Sequence, residues 1–285
     1  MKKTKSESVY YFWSASILVC MLLACFALVF ASCSKGGTKV APSEAPSEQQ
    51  SEQPAVPSEQ VTAPVTDPVT SEAPTTTTTG DVSTILAETE DAGQEYVDKF
   101  VFLGDSTTYG LASYDVVNDN QVWTPKSGTL TLNRWSIDAI QYPDEGTEIS
   151  IVDAVTKKQP EYMMITLGVN GVSFMDETSF TTEYTNLVKA IQAASPNTKI
   201  ILNSIYPVNP SYKYIKDINN EKIDAANTWV QNIAAATGVK YLNSCSVLKD
   251  ETGALPSSYS NGDGLHLSPD SLKMVISYLR THAYL

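Results

Sequence analysis

The segment KFVFLGDSTTYG, Lys99–Gly110, decides how this chain folds. Its first half is an apolar run typical of a buried strand, and the run stops at a glycine. Asp105 and Ser106 follow directly. A strand that ends in glycine, an acid and a serine predicts a tight strand-to-helix turn, and we expect Ser106 to cap the helix.

Outside this segment, short apolar runs alternate with amphipathic segments. Further buried strands are predicted at 162–167, 199–206 and 239–243. Helices are predicted at 148–158, 180–194, 218–236 and from Pro269 onward, with Ser268 as N-cap and Gly238 as a C-terminal cap. Alternating strands and helices predict an α/β fold, in which a parallel sheet carries helices on both faces.

The residues that follow these strands carry functional groups. In parallel α/β sheets, ligands bind beyond the carboxyl ends of the strands. Ser106 follows the first strand, Asn170 follows the second, and Asp263 and His266 precede the last helix. The sequence therefore places a hydroxyl, an amide, a carboxylate and an imidazole at one predicted edge.

This set of side chains fits acyl transfer. A serine hydroxyl needs a base to become a nucleophile, and His266 is the candidate because His282 lies near the C-terminus. Asp263, three residues before His266, can orient its ring, which gives a serine–histidine–aspartate triad. The Asn170 amide can donate to the oxyanion that forms during the reaction.

Three segments, FLGDSTTYG, ITLGVNG and DGLHLS, resemble the blocks of the SGNH or GDSL-type hydrolase family, from Phe102 to Ser268. The resemblance implies a flavodoxin-like three-layer α/β sandwich that hydrolyses esters with a serine nucleophile and without metal or cofactor. Matched by position, Ser106 is the nucleophile and an oxyanion donor through its N–H. Asn170 is a second donor, and Asp263 and His266 complete the triad.

The family's second block, which supplies a glycine N–H to the oxyanion hole, has no clear counterpart here. Gly128 and Gly146 are the available glycines between Gly110 and Pro160. We assign the role to Gly128, because it precedes a strand-like stretch whereas Gly146 is predicted to begin a helix.

The first 33 residues are predicted to be an export or anchoring signal. Three lysines precede an apolar run, Val9–Ala31, that is long enough to cross a bilayer. The residues before Cys33 resemble the lipobox of bacterial lipoproteins, which implies lipidation of Cys33, although an uncleaved membrane anchor remains the alternative. Either interpretation predicts an extracytoplasmic protein tethered to a bacterial membrane by a lipid or a helix.

Residues 34–80 differ sharply from the rest of the chain. They are rich in Pro, Ser, Glu and Thr and contain no aromatic residue, which predicts a disordered stalk, with 81–285 as one hydrolase domain. Three of the 4 cysteines lie in or beside the signal, so Cys245 is expected to be a buried apolar residue, and no zinc-ligand spacing exists. The net charge of −13 argues against a nucleic-acid partner.

Together these features predict an extracytoplasmic serine esterase that removes a short acyl group, such as acetyl, from a carbohydrate or another small ester. Three alternatives stay open: a lipase or thioesterase, an acyltransferase of the same fold, and a surface binding module without turnover. Aromatic residues expected at the rim could stack on sugars, but core or loop packing is the interpretation we favour. They are Trp123, Trp135, Tyr206, Tyr212 and Tyr214.

Overall fold

The computed structural model describes residues 83–285, and seven strands are found there. They are β1 (Phe100–Gly104), β2 (Val122–Trp123), β3 (Ala139–Tyr142), β4 (Thr147–Ser150), β5 (Tyr162–Thr166), β6 (Lys199–Asn203) and β7 (Lys240–Leu242). Five of them form a parallel sheet in the order β2-β1-β5-β6-β7, and β3 and β4 form an antiparallel hairpin.

Helices cover both faces of the parallel sheet. They are α1 (Gly93–Val97), α2 (Ser106–Ser113), α3 (Ile151–Lys158), α4 (Glu177–Ala194), α5 (Asn220–Thr237) and α6 (Pro269–Arg280). Buried residues of α3, α4 and α5 share one hydrophobic cluster, and those of α1, α2 and α6 share the other. The predicted α/β fold with a three-layer arrangement is therefore confirmed.

Strand β1 shows why the sheet needs both helical layers. Val101 and Leu103 belong to the cluster of α3–α5, whereas Phe100 and Phe102 belong to that of α1, α2 and α6. Successive side chains of a strand point to opposite faces, so a continuous apolar run requires apolar cover on each side.

Several predicted boundaries differ from the structure by one to three residues, and two of the differences have a visible cause. Strand β6 ends at Asn203 rather than at residue 206, because the Asn227 side chain of α5 takes both backbone groups of Ile205, at 2.7 and 3.0 Å. Helix α3 begins at Ile151 rather than at residue 148, because 147–150 pair with 139–142 in the hairpin. The caps at Ser268 and Gly238 are confirmed.

The glycine that ends β1 is required by close packing. A Cβ atom at Gly104 would overlap both the Thr108 side chain of α2 and the Thr166 carbonyl of β5. Helix α2 thus turns back tightly against the neighbouring strand, and this brings its first residue, Ser106, to the carboxyl edge of the sheet.

We expect Gly104→Ala to destabilise the domain by about 3 kcal/mol, because one of the two overlapping groups is backbone and cannot rotate away. For a domain of this size, that corresponds to a fall in Tm of about 10 °C in thermal unfolding. Gly146→Asn is the matched control: Gly146 has φ +65°, which Asn tolerates, and an added Cβ meets nothing within 4 Å. A comparable Tm loss in both variants would contradict the packing explanation.

The predicted signal, the lipidation site Cys33 and the stalk lie outside the described residues. Within 83–285, the structure contains no helix that combines the length and apolarity needed to cross a membrane. Cys245 is buried after β7, and burial raises the pKa of its thiol to about 11, which agrees with the predicted packing role.

Candidate active site

Ser106 is the first residue of α2, where backbone N–H groups lack intrahelical acceptors. The N-cap is Asp105 and not Ser106, since the Asp105 side chain accepts a hydrogen bond from the Thr107 N–H at 3.0 Å. The predicted capping role of Ser106 is therefore wrong. Its hydroxyl is instead directed to another part of the chain.

The Ser106 hydroxyl meets the ring of His266. Ser106 Oγ and His266 Nε2 lie 2.9 Å apart, and His266 Nδ1 lies 2.6 Å from Asp263 Oδ2. The three side chains thus form one continuous chain of hydrogen bonds between residues that are 160 positions apart in sequence. The side chain of His266 is 14% exposed and that of Asp263 is 38% exposed.

A compact turn before α6 holds Asp263 and His266 in this orientation. Asp263 Oδ1 accepts hydrogen bonds from the N–H groups of Leu265 and His266, each at 2.8 Å. Gly264, with φ +84°, reverses the chain between the two residues. One carboxylate oxygen therefore shapes the backbone, which leaves the other for the imidazole.

The charge of Asp263 is favoured in this setting. Burial by itself would raise the pKa of its carboxyl. The hydrogen bond and Coulombic attraction of His266, together with the N–H groups of Leu265 and His266, outweigh burial and lower the pKa below its ordinary value. An ionised carboxylate at Nδ1 places the ring proton there and leaves Nε2 as the acceptor facing Ser106.

Asn170 follows β5 at the same edge of the sheet. Its Nδ2 donates to the Leu130 carbonyl at 3.4 Å, and since an amide carries two N–H donors, one remains for a ligand. Gly168 is needed before it, because φ is +127° and a Cβ there would lie 2.8 Å from Phe180. The loop is therefore shaped by its packing against α4.

The structure does not support Gly128 as an oxyanion donor. The Gly128 N–H donates to the Pro125 carbonyl at 2.8 Å, so this donor is engaged inside its own turn. The stretch after Gly128 forms no strand, and Gly146 lies in the β3–β4 turn rather than at a helix start. Both premises of the assignment were wrong.

Sequence reasoning missed Asn209, which braces the Asp263–His266 turn. Its backbone N–H donates to the Gly264 carbonyl at 2.8 Å, and its Nδ2 donates to the Leu255 carbonyl at 2.6 Å. Asn209 is buried and follows β6, as Asn170 follows β5. Its position after a strand was the feature of the sequence that could have identified Asn209 as a candidate site residue.

Asp105 is a buried carboxylate directly before Ser106 in the chain. It is 1% exposed, its Oδ1 accepts from Thr107 Oγ1 at 2.7 Å, and its Oδ2 has no hydrogen-bond partner among residues 83–285. Burial raises the pKa of the Asp105 carboxyl. The hydrogen bonds from Thr107, the attraction of His266 and the nearby N–H of Gly168 each lower this pKa, but burial outweighs them.

This raised pKa predicts the pH dependence of stability. The folded state holds the Asp105 proton more tightly than the unfolded state, so the carboxyl destabilises the domain progressively as pH rises above about 4. We expect Asp105→Asn, which keeps the acceptor for Thr107, to raise Tm at pH 7 and to lose that advantage near pH 4. Thermal unfolding at pH 4, 5.5 and 7 measures this.

Asp176 provides the matched control for this experiment. It is also an N-cap, at α4, but the pKa of its exposed carboxyl is lowered, chiefly by the hydrogen bond from the Ser179 N–H. Asp176→Asn should therefore lower Tm at pH 7, with the difference lost in acid. A pH-independent effect of Asp105→Asn would contradict the role of charge burial.

The aromatic residues expected at the rim divide into two groups. Trp123 and Tyr206 are buried, and Trp135 is partly buried with its Nε1 donating to Glu183 Oε2 at 3.0 Å. For these three residues the predicted packing role therefore agrees with the structure. Tyr212 is partly buried, and Tyr214 is 51% exposed.

Residues 102–271, more than half of the chain, match the model of the GDSL-like Lipase/Acylhydrolase family. The chain belongs to this family. Members of the GDSL family are ester-hydrolysing serine hydrolases, so the predicted family and enzyme class are confirmed. The matched range includes Ser106, Asn170, Asp263 and His266.

Solved structures similar to this GDSL-family chain have low sequence identity. A protein from Streptococcus pneumonia whose name refers to platelet activating factor is 19% identical, with 68% of this chain and 91% of that chain covered and a TM-score of 0.49. A GDSL-like lipase from Bacteroides thetaiotaomicron is 18% identical, with 67% and 89% covered and a TM-score of 0.47. A carbohydrate esterase family 3 protein from Talaromyces cellulolyticus is 16% identical, with 64% and 93% covered and a TM-score of 0.42. No curated protein matches the chain.

Proposed function

We propose that this GDSL-family protein is an extracytoplasmic serine esterase that removes a short acyl group, acetyl in the simplest case, from a carbohydrate. The observation that supports it most directly is the bridging position of His266, 2.9 Å from Ser106 Oγ and 2.6 Å from Asp263 Oδ2. This is the geometry that a serine needs in order to lose its proton during attack.

In the first half of the reaction, Ser106 Oγ attacks the ester carbonyl carbon while His266 Nε2 takes the hydroxyl proton. The carbonyl π electrons move to oxygen, and the Ser106 N–H and the Asn170 amide donate to that oxyanion. One such donor is typically worth ~3–4 kcal/mol of the barrier. The ester C–O bond then breaks, and the departing sugar oxygen receives the proton from His266.

In the second half, water attacks the acyl-enzyme. His266 takes one water proton as the oxygen bonds to the acyl carbon, and the proton passes to Ser106 Oγ as the acyl acid leaves. Asp263 stabilises the imidazolium in both halves, because its carboxylate is ionised and hydrogen-bonded to Nδ1.

The location and the carbohydrate substrate rest on the N-terminal sequence. An apolar signal ending near Cys33 and a Pro- and Thr-rich stalk favour a domain held outside a bacterial membrane. Acylated polysaccharides are one class of ester at such a surface, and they are the class that we propose. A stalk of this length allows the domain to reach tens of ångströms from its anchor.

Labelling of the full-length protein with a fluorophosphonate probe tests the mechanism. We expect covalent modification at Ser106, located by peptide mass spectrometry, and release of acetate from acetylated oligosaccharides in preference to hydrolysis of medium-chain esters. A protein that is not labelled and turns over no ester would be a binding module. A preference for medium-chain esters would indicate a lipase, and transfer to an added sugar in place of water would indicate an acyltransferase.

A further inference from the structure

Residues 207–218, part of the loop between β6 and α5, lie against the Asp263–His266 turn, which is the catalytic turn of the proposed mechanism. Its Asn209 N–H donates to the Gly264 carbonyl at 2.8 Å, and the Asn209 side chain also bonds to Leu255 and Ser257. The Val208 backbone forms two hydrogen bonds with the Asn220 side chain, at 2.8 and 2.9 Å. The start of this loop is therefore held against the catalytic turn through Asn209, and it is also held to the start of α5 through Asn220.

Tyr212 is a second residue of this loop that lies against the turn. A Cβ atom built on Gly264 would lie 3.1 Å from the Tyr212 Cα, so the two backbones touch. The phenol also lies within Coulombic range of the Asp263 carboxylate, which contributes, after burial, to raising the pKa of Tyr212. Tyr212 thus stands beside the Asp263–His266 pair.

Tyr214 extends this aromatic surface into solvent. Its ring packs edge-on with that of Tyr212, with centroids 5.8 Å apart and planes at 75°. Lys213 Nζ lies 5.1 Å from the Tyr214 centroid, and half of the Tyr214 surface is exposed. Backbone bonds from Asp217 and Ile218 to the Tyr214 carbonyl, each 2.9 Å, hold its main chain in a turn.

We propose that Tyr212 and Tyr214 form a subsite that binds the pyranose ring bearing the acyl group, next to the turn that carries Asp263 and His266. The inference rests on the proposed carbohydrate esterase function and assigns the residues that select its substrate. The Tyr214 ring supplies the exposed stacking surface, and Tyr212 sets its distance from the catalytic turn.

The chemistry of this surface suits a sugar. An aromatic ring face carries negative charge density, and the C–H groups on one side of a pyranose are weakly positive, so the two stack. The hydroxyl groups at the edge of the sugar ring need polar partners. The same loop exposes four polar residues, Ser211, Lys213, Lys216 and Asp217. An alkyl chain would gain from the rings but would desolvate these polar groups without replacing their hydrogen bonds.

The test compares Tyr214→Ala with the wild-type protein on two acetyl esters, an acetylated xylo-oligosaccharide and ethyl acetate. Ethyl acetate has no ring, so the ratio of the two kcat/KM values isolates the contribution of stacking. We expect this ratio to fall about tenfold in Tyr214→Ala, mainly through a higher KM for the sugar ester. Tyr214→Phe, which keeps the ring, should retain most of the ratio.

Tyr114→Ala is the matched control. Tyr114 is a 37% exposed tyrosine at the opposite end of α2, about 12 Å along the helix from Ser106. Its replacement should leave the ratio unchanged. A second readout needs no turnover: calorimetric binding of the deacetylated xylo-oligosaccharide to the Ser106→Ala protein should weaken about tenfold when Tyr214→Ala is added.

The outcomes separate the two proposals. If the wild-type protein hydrolyses the sugar ester and Tyr214→Ala leaves both the ratio and the product binding unchanged, the subsite is overturned while the esterase function stands. An equal loss on both esters would also overturn it, since Tyr214 would then act on the catalytic turn itself. If the wild-type protein neither hydrolyses the sugar ester nor binds its product, the carbohydrate function fails, and the subsite fails with it.

Discussion

Ser106→Ala is expected to reduce kcat for acetyl ester hydrolysis by about 10⁴-fold or more, because no other group takes over the attack on the carbonyl. The Oγ that is removed is the atom 2.9 Å from His266 Nε2. Ser106 is half-buried and is not the N-cap of its helix, so the fold should tolerate alanine. Initial rates by acetate release, with circular dichroism and Tm, measure both effects.

Ser113→Ala is the appropriate control, because Ser113 is the last residue of the same helix and its Oγ bonds only locally, to the Gly110 carbonyl at 3.4 Å. It should keep wild-type kcat and probe labelling. Retention of most activity by Ser106→Ala, with full folding, would refute the nucleophile assignment.

Asp263→Asn should lower kcat by about 10³–10⁴-fold while leaving the backbone turn intact. The Asn Oδ1 can still accept from the N–H groups of Leu265 and His266, as Asp263 Oδ1 does at 2.8 Å. Its NH₂ group, however, would face His266 Nδ1 and force the ring proton onto Nε2. Nε2 could then no longer accept the proton of Ser106. The pH–rate profile and Tm of the variant are the measurements.

The control for this change is Asp270→Asn, which removes a carboxylate that is 90% exposed and paired with Lys273 on α6. Surface pairs of this type contribute little, so both rate and Tm should stay near wild type. A Tm loss in Asp263→Asn that accounts for the whole loss of activity would contradict the tautomer explanation and would indicate a collapsed turn.

Local features of the chain were predictable because their causes are local. The hydrogen bonds of Asp263 to the Leu265 and His266 N–H groups join residues within three positions of each other, and Ser268 precedes a proline, which is favoured at the first position of a helix. Errors arose where distant residues intervened. Asn227 ends β6 through hydrogen bonds to a residue 22 positions away, which strand propensity cannot register.

The oxyanion assignment to Gly128 failed for a related reason. Whether a backbone N–H is available depends on which carbonyl it meets, and Gly128 meets Pro125 within its own turn. A glycine in the sequence shows conformational freedom but not the direction of its N–H group. Likewise, nothing in the spacing of these residues distinguished the exposed ring of Tyr214 from the partly buried ring of Tyr212 or the buried ring of Tyr206.

The sequence alone determined the strand–helix alternation and the family, and it indicated Ser106, Asp263 and His266 as the candidate triad, because periodicity and short motifs are properties of neighbouring residues. The tertiary structure decided that Ser106 and His266 meet, since that contact depends on how tightly α2 folds back on β1 and β5. It also decided that Asp105 caps the helix, and that the 207–218 loop lies on the catalytic turn. These are packing relations between segments far apart in the chain, and they exist only once the sheet has formed.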